Sequence, residues 1–187
     1  FSWRADWQVP NLGIPNLQQT IGVIASHVYG NPSQKLWLVG VTGTNGKTSC
    51  SHWIASAFAS LGKKSAVIGT VGNGIVGSAE QLDAATHTTP EAIGLQIMLK
   101  DFLQQGVSHI AMETSSHGLD QGRVNGVKFD VALFTNLTRD HLDYHGDMQH
   151  YAQAKHKLFS MPQLKTAVIN IDDEYGATLV QELKSND

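Results

Sequence analysis

Residues 36–48, Leu-Trp-Leu-Val-Gly-Val-Thr-Gly-Thr-Asn-Gly-Lys-Thr, run an apolar stretch of strand character into a glycine-rich turn, and Lys-Thr then opens an amphipathic helix. This strand–turn–helix order predicts a phosphate-binding loop. The N–H groups of Gly43, Thr44, Asn45, Gly46 and Lys47 would converge on phosphate oxygens, backed by the positive end of the following helix. In that reading Lys47 reaches the outer phosphates and the Thr48 hydroxyl ligates Mg2+, with Ser49 next in the same helical turn. The generic motif puts its first glycine five positions before the Gly-Lys pair, where this chain has Val41. The loop is therefore a shortened variant, and an ordinary glycine turn is the competing reading. The expected ligand is a nucleoside triphosphate.

Outward from this loop, strand and helix patterns alternate, which predicts an α/β domain with a mostly parallel sheet flanked by helices. Cys50, Ile54, Ala57, Phe58 and Leu61 share one helical face, with Cys50 as a small core residue and Gly62 as the stop. Residues 65–70 read as a short strand. Thr89-Pro90-Glu91 reads as a helix start, with Thr89 as N-cap and Pro90 at the first helical position. Leu95, Met98, Leu99 and Phe102 form that helix's buried face. Further strands are expected at 109–112, 131–134 and 167–171, and a helix at about 147–159. Residues 1–34, with three prolines and one helical pattern around 21–28, read as a connector. Residues 35–187 read as one ATP-binding domain, truncated on its C-terminal side.

Polar residues follow three of these strands at the edge where open α/β sheets bind ligands. The phosphate loop follows one, Glu113 another, and Thr135, Asn136, Asp140 and His141 the third. Beside a phosphate loop, an acid directly after a buried strand is placed to hold Mg2+; alone, Glu113 reads equally well as a solvated strand end. His141 stands where a ligand is needed, and a neutral imidazole can ligate a divalent ion. On residue pattern alone it also reads as a surface histidine. Lys155 shares the stripe of Met148, Tyr151 and Leu158. Pattern favours a snorkelling lysine there; the other reading is a buried amine of lowered pKa and raised reactivity.

Composition adds bounds. A net charge of −3 gives no reason to expect nucleic acid, and no basic run suggests a membrane surface. No apolar stretch is long enough for a bilayer, and a single cysteine fits a reducing, cytoplasmic setting.

Four segments then carry a resemblance. Gly-Thr-Asn-Gly-Lys-Thr (43–48), Met-Glu-Thr-Ser-Ser-His-Gly-Leu (112–119) with Gln121 and Arg123, Thr-Asn-Leu-Thr-Arg-Asp-His-Leu-Asp-Tyr-His-Gly (135–146) and Tyr-Ala-Gln-Ala-Lys (151–155) are similar, in this order, to the Mur ligase family. The likeness extends over essentially the whole chain and points to the member that adds the third residue of the peptidoglycan peptide. It implies a monomeric ATP-dependent amide ligase working on UDP-MurNAc-L-Ala-D-Glu and a free amino acid through an acyl phosphate. It also implies a three-domain protein whose central domain alone does not ligate. By resemblance, Lys47, Glu113, His141 and Lys155 are catalytic, and Thr48, Glu113, His141 and a carbamylated Lys155 hold two Mg2+ ions. Thr88, Thr89, Ser115, Gln121 and Arg123 are the implied substrate contacts. The rivals are another ligase with this loop, of the folylpolyglutamate type, and a nucleotide-hydrolysing switch module.

Overall fold

The computed structural model describes residues 13–78, 82, 85 and 87–185. The apolar run before the glycine turn is strand β1 (Trp37–Thr42), buried along nearly its whole length, as a parallel strand covered on both faces must be. It runs parallel between β4 (His109–Glu113) and β5 (Val131–Phe134). Beyond β4 lies β2 (Ser65–Gly69) and beyond β5 lies β6 (Thr166–Ile169), both parallel to their neighbours. Strand β3 (Gly72–Ile75) closes one edge antiparallel to β2, so the order is β3-β2-β4-β1-β5-β6. The predicted α/β class and mostly parallel sheet are what the chain adopts. The β2–β3 hairpin was not anticipated: its strand contains Gly72 and Gly74, and its two-residue turn, Thr70-Val71, lacks the usual hairpin residues.

The helices are α1 (Leu17–Val28), α2 (Lys47–Ser60), α3 (Ala92–Gln104), α4 (Ser116–Asp120), α5 (Leu142–His145), α6 (Met148–His156) and α7 (Glu174–Ser185). On one face of the sheet, Ala55 of α2 packs against Val67 and Ala111. Their neighbours in the strands, Ala66, Ile68, Ile110 and Met112, point to the other face. There they meet Leu95, Leu99 and Phe102 of α3, together with Phe129 and Leu158, in the main core.

Two expectations about helices need correction. The face of α2 that meets the sheet is centred on Ser51 and Ala55 and flanked by the expected Ile54 and Phe58, whereas Ala57 is exposed, Leu61 is 74% exposed and Cys50 is only half-buried. Small side chains let the helix lie close to the strands, and closeness outweighed hydrophobic bulk. Helix α3 begins at Ala92 with Glu91 as N-cap, so Thr89 is not the cap. Its hydroxyl is instead taken up by the end of β4.

Helix α1, within the expected connector, packs on α3. A Cβ at Gly22 would overlap the Asn125 carbonyl oxygen, so only glycine permits this approach. Gln19 Nε2 donates to the Asp120 carbonyl at 3.0 Å, and Asn125 Nδ2 donates to the Gln19 carbonyl at 2.8 Å. Among the described residues, no helix is long and apolar enough to cross a membrane.

Register sets up the site. Val41 pairs with Glu113, Thr42 with Phe134, and Ile68 with Met112, so four parallel strands end level and release their polar loops at one edge.

Candidate nucleotide and metal site

The loop between β1 and α2 is shaped by side chains from the next strand end. Gly43 has φ 143°, and a Cβ there would overlap the Thr135 hydroxyl; Gly46, at φ 83°, is the N-cap of α2. Thr44 N–H donates to the Asn136 carbonyl at 2.8 Å, and Asn45 N–H to Asn136 Oδ1 at 3.0 Å. The Thr135 hydroxyl donates to the Asn45 carbonyl at 2.6 Å. The loop is thus preformed, which lowers the ordering cost of binding a polyphosphate, but the Thr44 and Asn45 N–H groups, expected to face phosphate, are spent on Asn136 instead. Lys47 Nζ lies over it, donating to the carbonyls of Gly43 and Thr44 at 2.9 and 2.8 Å. Burial pulls its pKa below the ordinary lysine value, partly opposed by Glu113 and Asp140. Ser49 is exposed in the first turn of α2.

Glu113, 1% exposed at the end of β4, is held on both oxygens. Oε2 accepts from the Thr48 hydroxyl at 3.0 Å and from the Thr70 hydroxyl at 3.2 Å, while Oε1 accepts from Thr70 N–H at 2.9 Å. Three strand ends, after β1, β2 and β4, therefore meet on one carboxylate. Thr70 was missed as a site residue, although it follows a strand at the same edge. The pairing of Thr48 and Glu113 fits Mg2+, a hard cation that takes oxygen ligands and usually keeps phosphate and water in its other positions. Among the described residues no three histidine, cysteine or carboxylate side chains are grouped to cage a metal alone.

Lys155 does not snorkel. It is 1% exposed, donates to the Gly43 carbonyl at 2.8 Å, and lies 4.3 Å from the ring centre of Tyr151. Burial, reinforced by the charge of Lys47 and opposed by Asp140, brings its pKa down to about 7. With no carboxylate at hydrogen-bond distance in its described contacts, the amine escapes the cost of burial by losing its proton. Tyr151 was read as an apolar stripe residue, yet its hydroxyl meets that of Thr44 at 3.1 Å and so links α6 to the loop.

His141 takes a left-handed backbone conformation (φ 52°) just before α5, and its N–H donates to Asp140 Oδ1 at 2.9 Å. Its ring centre is 4.9 Å from that of His117 and 6.0 Å from that of Tyr151. His117 in turn stacks on Tyr144 at 4.2 Å and lies 5.5 Å from His145. Burial, with help from neighbouring cations, lowers the pKa of both His117 and His145 and favours their neutral forms. His117 was not singled out from the sequence, because three histidines on two separate short helices leave no spacing signal.

The expected substrate contacts form a second group beside Glu113. The Thr88 hydroxyl lies 3.0 Å from that of Thr70. The fully buried Thr89 donates to the Glu113 carbonyl at 2.9 Å and accepts from Ser115 N–H at 2.9 Å. Ser115 caps α4 by accepting from Gly118 N–H at 3.1 Å. Arg123 donates to Gln121 Oε1 at 2.8 Å and to the Thr89 carbonyl at 3.0 Å, and Gln121 donates to the Tyr144 hydroxyl at 3.2 Å. A chain of hydrogen bonds, largely buried, thus leads from Thr48 through Glu113 and Thr89 to Arg123.

Residues 41–187 match the model of the Mur ligase middle domain. The chain is 57% identical over 179 residues to the UDP-N-acetylmuramoyl-L-alanyl-D-glutamate–2,6-diaminopimelate ligase of Chromobacterium violaceum, covering 96% of this chain and 36% of the relative. A solved structure of a ligase of the same name superimposes with a TM-score of 0.79 at 40% identity, over 92% of this chain and 34% of that one. The folylpolyglutamate synthase of Mycobacterium tuberculosis superimposes with a TM-score of 0.67 at 15% identity, over 90% of this chain and 44% of that one, a likeness of fold alone. The chain spans about a third of the length of the curated relatives it matches.

Proposed function

The chain belongs to the Mur ligase family, as its middle domain, and from that premise we propose that it is the ATP-binding part of an ATP-dependent amide ligase of peptidoglycan precursor synthesis. The substrate we assign is UDP-MurNAc-L-Ala-D-Glu, and the amino acid added as third residue is 2,6-diaminopimelate, the acceptor in the names of relatives at 54–57% identity. In this reading residues 1–34 lead in from a domain that holds the nucleotide sugar. Residues 35–187 form the central domain, and a further C-terminal domain completes the site. The observation that carries the reading is the meeting of Thr48 and Glu113 beside a preformed phosphate loop, with the buried Lys155 on that loop's Gly43 carbonyl.

The chemistry follows from charge. A carboxylate oxygen of the D-Glu residue attacks the γ-phosphorus of ATP, ADP leaves, and an acyl phosphate forms. The amine of the incoming amino acid attacks the acyl carbon, phosphate leaves, the nitrogen loses a proton, and the amide remains. Two anions must meet in the first step, and Mg2+ supplies the charge neutralisation and alignment that this requires. The chain's own groups do the rest. Loop N–H groups other than those of Thr44 and Asn45, with Lys47, bind and orient the phosphates, Thr48 and Glu113 would hold one ion, and Arg123 and Ser115 position the acceptor end. At a pKa of about 7, a large share of Lys155 is neutral amine near neutral pH, the form that adds CO2 to give a carbamate. A carbamate there, with His141, would hold the second ion and put an anion where the neutral amine stood.

Mass spectrometry of a reaction holding the full-length ligase, ATP, Mg2+, UDP-MurNAc-L-Ala-D-Glu and 2,6-diaminopimelate tests the assignment. A tripeptide product heavier by one diaminopimelate residue is expected. Product with lysine but not diaminopimelate would overturn the acceptor, and no product with any amino acid would overturn the ligase reading.

A further inference from the structure

Arg123 spends three of its nitrogens inside the protein. Nε donates to Gln121 Oε1 at 2.8 Å, Nη1 donates to the Thr89 carbonyl at 3.0 Å, and Nη2 pairs with Glu91 Oε1 at 3.1 Å. The first two partners are neutral and fixed by their own surroundings: Thr89 is fully buried, and Gln121 is also tied to Tyr144. The third is different in kind. The Glu91 side chain is 64% exposed, against 11% for Arg123. Glu91 is the N-cap of α3, yet its side chain makes no capping hydrogen bond, so the carboxylate is not committed to starting that helix. Both residues line a small pocket with Gln18, Ile21 and Gln121, open beside the acceptor contacts.

We infer that Glu91 is a stand-in anion, occupying the Arg123 fork in the free protein and yielding it to a carboxylate or phosphate of the bound substrate. The inference rests on the substrate reading above and assigns Glu91 an affinity-setting role exerted through Arg123. A nearly buried guanidinium bonded only to neutral acceptors keeps an uncompensated charge, which is costly. An exposed carboxylate held through one nitrogen relieves that cost while remaining easy to displace. Nε and Nη1 stay anchored whether or not Glu91 is present, so the fork keeps its orientation when the anion is exchanged. Removing the Glu91 charge therefore removes a competitor without disordering the site. A merely structural Glu91 predicts the opposite sign, weaker binding once it is lost.

The test compares Glu91→Gln with the unmodified full-length ligase by equilibrium binding of UDP-MurNAc-L-Ala-D-Glu, of UDP-MurNAc-L-Ala, and of ATP, at low and high salt. The variant is expected to bind the dipeptide substrate about two- to fivefold more tightly at low salt, the range of an exposed ion pair. The gain should shrink as salt screens the charge, with ATP affinity unchanged. Tightening confined to the ligand carrying D-Glu identifies its carboxylate as the incoming anion; tightening of both ligands identifies the diphosphate. Unchanged or weaker binding of the dipeptide substrate overturns the inference. Failure of the unmodified protein to bind that substrate removes the substrate reading itself, and the inference with it.

Discussion

Lys47 and Lys155 donate to one acceptor, the Gly43 carbonyl, at 2.9 and 2.8 Å. Two ammonium groups so placed repel each other, and the more deeply buried one yields its proton first. Lys155 falls from 10.5 to about 7, so between those pH values the unfolded chain binds a proton that the folded chain lacks. Stability should accordingly rise as pH climbs from about 7 to about 10.5, and this residue should add no slope below 7. Denaturant midpoints across that range should show the rise, and Lys155→Met, similar in volume and uncharged, should flatten it. The same amine is expected to give a carbamate signal in carbon NMR with labelled bicarbonate, absent in the methionine variant. Glu113 is the second decisive residue, since its two oxygens gather Thr48 and Thr70. Glu113→Gln keeps shape but removes the charge that would face Mg2+. An interaction worth several kcal/mol implies a loss in kcat of ~10²-fold or more. Circular dichroism should show the fold retained.

At the scale of elements, α6 and α1 make separable predictions. Helix α6 is capped by Asp147, whose side chain accepts from His150 N–H at 2.8 Å, so Asp147→Ala should lower the thermal midpoint. Gly22→Ala drives a Cβ into the Asn125 carbonyl and should cost about 1–3 kcal/mol, read as a shift in thermal midpoint. Strands β1, β4 and β5 were legible because parallel central strands are unbroken apolar runs, and the start of α6 because Asp147 caps it. The edge hairpin was not, since glycines and an atypical turn hide a strand whose pairing comes from its neighbour. The buried face of α2 was partly misread because bulk in the sequence does not report how closely a helix approaches a sheet. Lys155 shows the same limit within the site. Its spacing put it on the buried stripe, but whether a lysine reaches water depends on Gly43, over a hundred residues away, and on Tyr151, one helical turn away.

At the scale of the molecule, strand register does the organising work. Strands β1, β2, β4 and β5 end level, so residues far apart in the chain, from Gly43 to His141, come to one edge. The phosphate loop lies at its centre, tied to Glu113 through Thr48 and to α6 through Tyr151, and the Thr89–Ser115–Arg123 group adjoins the His117–Tyr144 pair through Gln121. This geometry is suited to bringing a polyphosphate and an anionic acceptor together. It matches the Mur ligase middle domain over residues 41–187. The isolated domain is expected to leave UDP-MurNAc-L-Ala-D-Glu unextended, because the proposal gives the nucleotide-sugar and amino-acid sites to flanking domains. Tripeptide formation by the 187-residue chain alone would contradict that division of labour.

The central claim is that ATP is cleaved here only to activate a carboxylate for amide formation. Phosphate release by the full-length ligase, with ATP, Mg2+ and bicarbonate, tests it most directly when UDP-MurNAc-L-Ala-D-Glu and 2,6-diaminopimelate are supplied separately and together. Release that requires both compounds is the predicted result. Release that proceeds equally well without either would contradict the account and leave a nucleotide-hydrolysing switch in its place.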